Sequence, residues 1–280
     1  MQDYGEYETA WCPGCGNFGI LKAVKQALVA SGLAPHEVLF VSGIGQAAKA
    51  PHYLNANLFD GLHGRALPVA TGAKLANVNL TVIVESGDGC VYGEGGNHFL
   101  AAVRRNIDVT LIVHNNQVYG LTKGQASPTS MEGFVTKAQP EGVHASAFNP
   151  VAVAVAMKAG FVARGFSGMP DHLAEVIRAG IAHKGFAVID VFQPCVSFNK
   201  VNTYKWYKDR CREVPPGHDP ENWESAMKMA FQWGDEIPVG ILYRNSRAPY
   251  ESYFPAVMKG PLAGQAVDFG GLGRILATYG

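Results

Sequence analysis

Short apolar runs alternate with amphipathic segments along roughly the first two thirds of the chain. Five runs rich in Val, Ile, Leu and Phe have the length of buried strands, and they cover residues 38–44, 80–85, 109–114, 161–166 and 187–192. Between them, apolar residues recur at helical spacing at 17–31, 68–76, 94–105, 150–160 and 171–183. This alternation predicts an α/β fold, with a mostly parallel sheet and helices on both of its faces.

Ligands bind to such a sheet at the carboxyl ends of its strands. We therefore expect the functional site in the turns that follow Ile44, Glu85, His114 and Phe192. From about residue 199 the alternation is lost, and Trp, Tyr and Pro become frequent. This change predicts a domain at 1–198 and a C-terminal extension at 199–280, which packs on that domain or on a partner subunit.

Composition narrows the class of protein. The chain has 280 residues, of which 48% are hydrophobic and 16% are charged, which is typical of a folded globular protein. Lys and Arg total 23, as do Asp and Glu, so no net charge favours nucleic acid or an anionic membrane as a partner. No apolar run reaches the roughly 20 residues of a membrane helix, and the first residues are polar and acidic, unlike a secretory signal. We expect a cytoplasmic protein whose cysteines stay reduced.

Two polar turns follow neighbouring predicted strands. Gly87-Asp88-Gly89 comes after one strand, and Asn115-Asn116 comes after the next, with one helix between them. The Asp88 carboxylate and the Asn116 amide are hard oxygen ligands that suit Mg²⁺, and the glycines let the backbone approach a diphosphate. Asp-Gly is also common turn chemistry, so the first turn alone has a purely structural interpretation. The Asn-Asn pair after a complete βα unit favours a binding site.

Three strings extend this pattern: WCPGCG at 11–16, HGR at 63–65, and NNQVYGLTKGQASPT at 115–129. With them the chain resembles the β subunits of 2-oxoacid:ferredoxin oxidoreductases over roughly residues 8–200. The resemblance implies a thiamine-diphosphate-binding fold for residues 1–198. It implies Mg²⁺ bound by Asp88, Asn116 and the backbone carbonyl of Val118. Residues implied to contact thiamine diphosphate are Ile44, Gly45, Gln46, His63, Gly87, Asp88, Gly89, Asn116, Tyr119, Gly120, Leu121 and Thr122.

The resemblance also implies an activity. A 2-oxoacid (pyruvate, 2-oxoglutarate or a branched-chain acid) is oxidatively decarboxylated to acyl-CoA and CO₂. Electrons then pass through an iron–sulfur cluster to ferredoxin or a ferredoxin-like subunit. A partner α subunit supplies the glutamate that activates the cofactor, together with part of the 2-oxoacid and coenzyme A site. We therefore expect this chain to be inactive alone.

Three side chains are candidates for catalysis. The resemblance implies that His63 lies near the cofactor. Lys49 follows the Gly45 turn and could face the substrate carboxylate, although it is equally well explained as a solvated helix lysine. Arg65 either binds a carboxylate or holds its own loop in place.

The cysteines depart from the family pattern. Alone, the C-x-x-C of Cys12 and Cys15 could be a redox pair, half a zinc site or half an iron–sulfur site. The family uses four cysteines for a [4Fe–4S] cluster, and three of them match here: Cys12, Cys15 and Cys195. Gln46 stands at the fourth position. The alternatives are a cluster with an unusual fourth ligand, no cluster, and another metal or a thiol pair. The unusual ligand would be an oxygen or a water molecule, since Gln46 is a poor iron ligand, or Cys211 if the tail folds back. Cys90 is expected near the cofactor and far from the cluster.

Two other functions compete with this assignment. A non-oxidative thiamine-diphosphate decarboxylase or synthase would use the same cofactor, but it has no use for the C-x-x-C. A non-catalytic subunit that has kept the fold is favoured only by the missing fourth cysteine. Retention of thiamine diphosphate and Mg²⁺ distinguishes this last alternative, because a non-catalytic subunit should not bind them.

Overall fold

A computed structural model describes residues 2–266 and 268–279. Within these residues, eight strands form one sheet in the order β2-β1-β3-β4-β6-β5-β8-β7. The strands are β1 (Val38–Ser42), β2 (Asn57–Asp60), β3 (Thr81–Gly87), β4 (Thr110–Asn115), β5 (Phe161–Phe166), β6 (Ala187–Phe192), β7 (Cys211–Glu213) and β8 (Ile237–Arg244). Neighbours pair in parallel except β5 and β8, which are antiparallel. The predicted mostly parallel sheet is therefore confirmed, with all five predicted strands in it.

Helices cover both faces of the sheet. They are α1 (Asn17–Ala30), α2 (Ala66–Ala76), α3 (Gly96–Arg105), α4 (Pro150–Ala156), α5 (Pro170–Ala182), α6 (Tyr204–Arg210), α7 (Trp223–Phe231), α8 (Pro255–Met258) and α9 (Phe269–Leu276). α1 and α5 pack on one face, and α2, α3, α4 and α7 pack on the other. Among the described residues, none of these helices is long and apolar enough to cross a membrane.

Alternation along the strands divides the core into two layers. Ile83 and Ile112 point to the face covered by α1 and α5, whereas Val84 and Val113 point to the opposite face. Successive side chains of a strand project to opposite sides, so a strand that is covered on both faces reads as a continuous apolar run. This is why the central strands are readable from sequence. Replacing the fully buried Ile112 by Ala is expected to cost about 2–5 kcal/mol of stability.

Three strands have no clear sequence signal. β2 is a four-residue edge strand whose residues are all exposed, so no buried run marks it. β8 is interrupted by Pro238 and Gly240, two residue types that argue against a strand. β7 has only three residues. β7 and β8 extend the same sheet, so part of the predicted C-terminal extension adds strands to it beside β5.

The connections after β1, β3 and β4 differ from simple turns. A 3₁₀ segment, Ala47–Tyr53, follows β1. A π-helical turn, Gly89–Glu94, follows β3 and precedes α3, so the helix starts later than the sequence predicts. The connection after β4 is long and covers residues 116–149. All of these residues are described, and apart from a β-bridge between Tyr119 and Gln125 they form no helix or strand. π-turns and long irregular connections are typical of functional sites.

Candidate functional site

A cavity of about 210 Å³ opens at the carboxyl ends of β1, β3 and β4. All twelve residues predicted to contact the cofactor line it, from Ile44 to Thr122, and so does Val118. Two further lining residues are Ala47 and Cys90. Parallel strands end on the same edge of the sheet, so residues far apart in sequence meet around one cavity.

Asp88 is the acidic group of this cavity. Its carboxylate is almost fully buried, and one oxygen, Oδ2, accepts hydrogen bonds from Ser127 Oγ at 2.5 Å and Thr129 Oγ1 at 2.6 Å. Burial raises the pKa of Asp88 from 3.8 to about 6, and the two hydroxyls only partly offset this. A cation beside the carboxylate would favour its ionised form. Ser127 and Thr129 lie within the string at 115–129, but no feature of that string predicts them as partners of Asp88.

A buried hydrogen-bond network continues from Asp88 into the sheet. Thr129 Oγ1 also lies 2.8 Å from Asn115 Oδ1, and Asn115 Nδ2 donates to the Asp190 carboxylate at 3.1 Å. Tyr92 donates its hydroxyl to the same carboxylate at 2.9 Å. Desolvation raises the pKa of Asp190, while its bonds to Asn115 and Tyr92 lower it. The first asparagine of the Asn-Asn pair therefore supports the site from inside the sheet.

Asn116 turns toward the cavity instead. Its Oδ1 accepts the backbone N–H of Val118 at 3.1 Å, and its Nδ2 donates to Gln193 Oε1 at 2.9 Å. Gln117 takes a positive φ of 59°, which reverses the chain between Asn116 and Val118. An amide oxygen has a second lone pair, so Asn116 Oδ1 stays able to bind a metal. Asp88, Asn116 and the Val118 carbonyl thus make an oxygen set of the kind that Mg²⁺ takes.

Glycines leave room for a ligand along the cavity floor. A Cβ added at Gly45 would meet nothing within 4 Å, and at Gly87 or Gly120 the nearest atoms would be 3.8 and 4.0 Å away. Side chains there would extend into the cavity, so their absence lets a diphosphate approach the backbone. At Gly89 a side chain is excluded by close packing, because an added Cβ would lie 2.1 Å from the Tyr119 ring. Thiamine diphosphate with Mg²⁺ fits this arrangement of donors and open space.

His63 and Glu94 are in contact at the cavity. His63 Nε2 lies 2.9 Å from Glu94 Oε2, and the Tyr119 hydroxyl donates to the same oxygen at 3.3 Å. His63 Nδ1 is buried without a hydrogen-bond partner in the described part of the chain. The π-turn brings Glu94 to this position, which the sequence analysis had placed only at the start of a helix.

Cys90 links two loops of the site. Its sulfur accepts the backbone N–H of Gly64 at 3.1 Å, next to His63. The same sulfur lies against Gly43, where an added Cβ would come within 2.5 Å of it. Cys90 therefore holds the His63 loop and the end of β1 against the Gly87–Gly89 turn.

Lys49 and Arg65 do not line the cavity. Lys49 lies in the 3₁₀ segment after β1, half-buried, and one turn beyond Gln46. Arg65 is exposed, and its guanidinium lies 3.2 Å from His98 Nε2. Of the three candidate catalytic side chains, only His63 is at the cavity. The predicted roles of the other two stay predictions.

A second, smaller cavity adjoins the first. Three cysteines line it, Cys12, Cys15 and Cys195, together with Asn17. Gln46, Asn116 and Gly120 line both cavities. Ser197 Oγ donates to Cys12 Sγ at 3.2 Å and Gln193 Nε2 donates to Cys15 Sγ at 3.4 Å. Burial raises the pKa of Cys15 to about 11, and the Asn17 backbone N–H that bonds to the sulfur opposes the shift.

Gln46 lines the same cavity as the three cysteines, with its Oε1 buried and unpartnered within the described chain. Cys211 does not line this cavity. It is buried instead in an apolar cluster with Phe192 and Tyr207, because β7 carries it to the far edge of the sheet. It is therefore ruled out as the fourth ligand in this structure. Three thiols and an unpartnered Gln46 oxygen fit a sulfur-rich group with one non-cysteine position.

Within residues 2–266 and 268–279, no three His, Cys, Asp or Glu side chains converge on a point that could hold a single metal ion. The two predicted sites do not require such a group. The Mg²⁺ set contains one carboxylate, and its other ligands are an amide, a carbonyl and phosphate oxygens. Thiolates around an iron–sulfur cluster are held apart by the cluster itself.

Comparisons with known proteins agree with this geometry. The profile of the thiamine pyrophosphate enzyme C-terminal TPP-binding domain matches residues 40–191. A second profile, which describes the C-terminal part of the pyruvate ferredoxin oxidoreductase β chain, matches residues 195–259. The two matches together include all residues that line the larger cavity. They also include those of the cysteine cavity except Trp11, Cys12, Cys15 and Asn17, which lie before residue 40, and Gln193, which lies between the matches.

Several relatives carry the same family name. The chain is 48% identical to 2-oxoacid:ferredoxin oxidoreductase 1, subunit beta, of Aeropyrum pernix, over 84% of this chain and 77% of the relative. It is 45% identical to the 2-oxoacid:ferredoxin oxidoreductase subunit beta of Saccharolobus solfataricus, over 93% and 92%.

A solved structure has the same fold. It is the 2-oxoglutarate:ferredoxin oxidoreductase from Magnetococcus marinus with 2-oxoglutarate, coenzyme A and succinyl-CoA bound. The TM-score is 0.91 at 34% identity, covering 98% of this chain and 94% of that chain. The family predicted from the sequence motifs is confirmed. The chain belongs to the β subunits of the 2-oxoacid:ferredoxin oxidoreductases and carries their thiamine-pyrophosphate-enzyme domain.

Proposed function

We propose that this chain binds thiamine diphosphate and Mg²⁺ in the larger cavity and, together with an α subunit, converts a 2-oxoacid and coenzyme A to acyl-CoA and CO₂. One observation carries the proposal: buried Asp88, Asn116 and the open glycine floor face the same cavity. Mg²⁺ would be held by Asp88, Asn116 and the Val118 carbonyl. Bound thiamine diphosphate supplies the nucleophilic carbon that adds to the 2-oxo group and takes up the electrons left when CO₂ departs.

We propose that His63 accepts a proton at the cavity. With Nε2–H donating to Glu94, the neutral imidazole presents Nδ1 as a proton acceptor. Nδ1 is buried and has no hydrogen-bond partner among the described groups, and we propose that a bound ligand supplies that partner. Glu94 fixes the tautomer in the way that a carboxylate orients a catalytic histidine. Lys49 and Arg65 remain candidates for the substrate carboxylate, if binding of the partner reshapes the rim of the cavity.

The three cysteines are proposed to hold an iron–sulfur cluster of the [4Fe–4S] type. Cys12, Cys15 and Cys195 would supply thiolates, and Gln46 or a water molecule would complete the set. The two electrons of the oxidation would leave one at a time through the cluster to ferredoxin or a ferredoxin-like subunit. The proposal is supported by Gln46, Asn116 and Gly120, which line both cavities, so a single layer of residues would separate cofactor and cluster.

Exposed apolar residues support an α-subunit partner. Leu62 beside the cavity is 75% exposed, and Ile44 and Leu121 on its lining are also exposed. The C-terminal helix α9 presents Phe269 and Ile275 to solvent. Large apolar patches of this kind mark protein interfaces. We propose that the α subunit covers the cavity and supplies the activating glutamate and part of the substrate and coenzyme A site. We further propose that α9 packs on a partner subunit and that the complex is cytoplasmic.

The test uses the complex purified anaerobically with its co-expressed α subunit. We expect coenzyme A-dependent ferredoxin reduction with a 2-oxoacid, compared across pyruvate, 2-oxoglutarate and a branched-chain acid. Asp88→Ala should abolish it together with Mg²⁺ and thiamine diphosphate binding. Cofactor retained by that variant would contradict the site.

Release of an aldehyde without ferredoxin reduction would support the non-oxidative alternative. The absence of bound thiamine diphosphate in the wild-type complex would support a non-catalytic subunit. The same preparation thus distinguishes the three functions.

A further inference from the structure

Three buried side chains form a chain of contacts that the proposed function does not use. His114, on β4, lies between Glu85 on β3 and Asn17 at the start of α1. His114 Nε2 lies 2.9 Å from Glu85 Oε1, and His114 Nδ1 lies 2.9 Å from Asn17 Oδ1. Each of the three is at most 1% exposed. A polar chain at this depth of the core is costly unless its groups are hydrogen-bonded.

The contact with His114 orients the Asn17 amide. Asn17 turns its Oδ1 toward His114 Nδ1, so the amide nitrogen Nδ2 points away from the ring. Nδ2 is buried and has no hydrogen-bond partner among the described groups. Buried amide donors in folded proteins are nearly always paired, so an unpaired one indicates a missing acceptor.

The cysteine cavity is where that acceptor would lie. Asn17 lines the cavity together with Cys12, Cys15 and Cys195. Its backbone N–H lies close enough to the Cys15 thiol to lower the pKa of that thiol, against the effect of burial. The unpartnered Nδ2 thus belongs to a residue that shares one cavity with three cysteines.

We infer that Asn17, oriented by His114 and Glu85, donates its side-chain N–H to a sulfur of the group bound in the cysteine cavity and thereby raises that group's reduction potential. The inference rests on the proposed iron–sulfur cluster. Hydrogen bonds to cluster sulfurs stabilise the more negative, reduced state. Asn17 is a positioning residue in this role, and the buried His114–Glu85 contact keeps its donor aimed as the cluster changes charge.

The test is a redox titration of the cluster, followed by EPR, in the complete complex. Asn17→Asp keeps an oxygen for His114 and removes the N–H donor, so we expect the midpoint potential to become more negative with the iron content unchanged. Asn79→Asp is the matched control. It makes the same charge change at an exposed residue just before β3, at the opposite end of that strand from the cavity.

Each outcome has a separate meaning. An unchanged potential in Asn17→Asp, with the cluster present, overturns the inference and leaves the proposed function intact. A wild-type complex without iron overturns the cluster and the inference with it. If Asn17→Asp does not fold, the wild-type chain labelled with ¹⁵N in its asparagine side chains replaces it. Pulsed EPR of its reduced cluster should show a nitrogen coupling, and the lack of one overturns the inference.

Discussion

The hydroxyl of Ser127 donates a 2.5 Å hydrogen bond to the carboxylate of Asp88, across 39 positions of the chain. The long connection after β4 folds back over the end of β3 to make this contact. This hydrogen bond orients the carboxylate but supplies no positive charge. Asp88 therefore stays a buried carboxylate that a bound cation would stabilise in its ionised form.

Asp88→Asn should stabilise the chain without cofactor. The pKa of Asp88 is raised from 3.8 to about 6, mainly by desolvation. A raised carboxyl pKa means that its stabilising contribution is fully present below about pH 3.8 and is lost as the pH rises through about 6. The loss is on the order of 3 kcal/mol. The unfolding temperature of the variant should therefore be higher than that of the wild type at pH 7.5, and the two temperatures should converge near pH 4.

Calorimetry should show that the same variant does not bind Mg²⁺ or thiamine diphosphate, because the amide lacks the negative charge of the Asp88 carboxylate. A gap in unfolding temperature that does not change with pH would contradict the buried-charge argument. Retained cofactor binding would contradict the metal assignment instead.

Thr129→Val should weaken cofactor binding while preserving shape. The change removes one hydrogen bond to the Asp88 carboxylate and one contact with Asn115. Hydrogen bonds to charged groups contribute about 1.5–3 kcal/mol, so Mg²⁺-dependent thiamine diphosphate affinity should fall roughly tenfold or more. Thr71→Val is the control, since its hydroxyl donates to the Leu67 carbonyl within α2, away from the cavity. Equal affinities in the two variants would show that Thr129 does not support the site.

Cys90→Ala should affect the His63 loop more than the metal site. It leaves the buried Gly64 N–H without its sulfur acceptor, at a cost of about 1–3 kcal/mol. We expect a lower unfolding temperature and reduced turnover, with Mg²⁺ affinity near that of the wild type. Cys90→Ser, which restores an acceptor, should recover part of both losses. If Ala and Ser behave alike, the N–H···S contact has no role.

Cys195→Ser should lose iron from this subunit, because it removes one of three thiolates from the cysteine cavity. Cys211→Ala is the matched control, since Cys211 is buried in a separate apolar cluster. Iron and acid-labile sulfide are measured on anaerobically purified complex. Equal iron content in the two variants would remove Cys195 from the ligand set.

The central sheet was predictable because its strands are buried on both faces. Such strands are continuous apolar runs, and β3, β4 and β6 stand out for this reason. The edge strand β2 and the interrupted β8 lack that signal, since their place in the sheet depends on pairing with partners far along the chain. Local pattern cannot report a pairing of that kind.

The sequence by itself determined which chemistry is possible. The Gly-Asp-Gly turn, the Asn-Asn pair and the three cysteines are recognisable as motifs, and the family was predicted from such motifs. Only the tertiary structure decided how these groups are held. The hydroxyls of Ser127 and Thr129 reach Asp88, and the Glu94 carboxylate reaches His63, through turns that have no hydrophobic periodicity. His114 lies in the core behind the site, in contact with Asn17. The tertiary structure also separated His63 from Lys49 and Arg65, and removed Cys211 from the cysteine cavity, because side-chain direction depends on packing rather than on sequence distance.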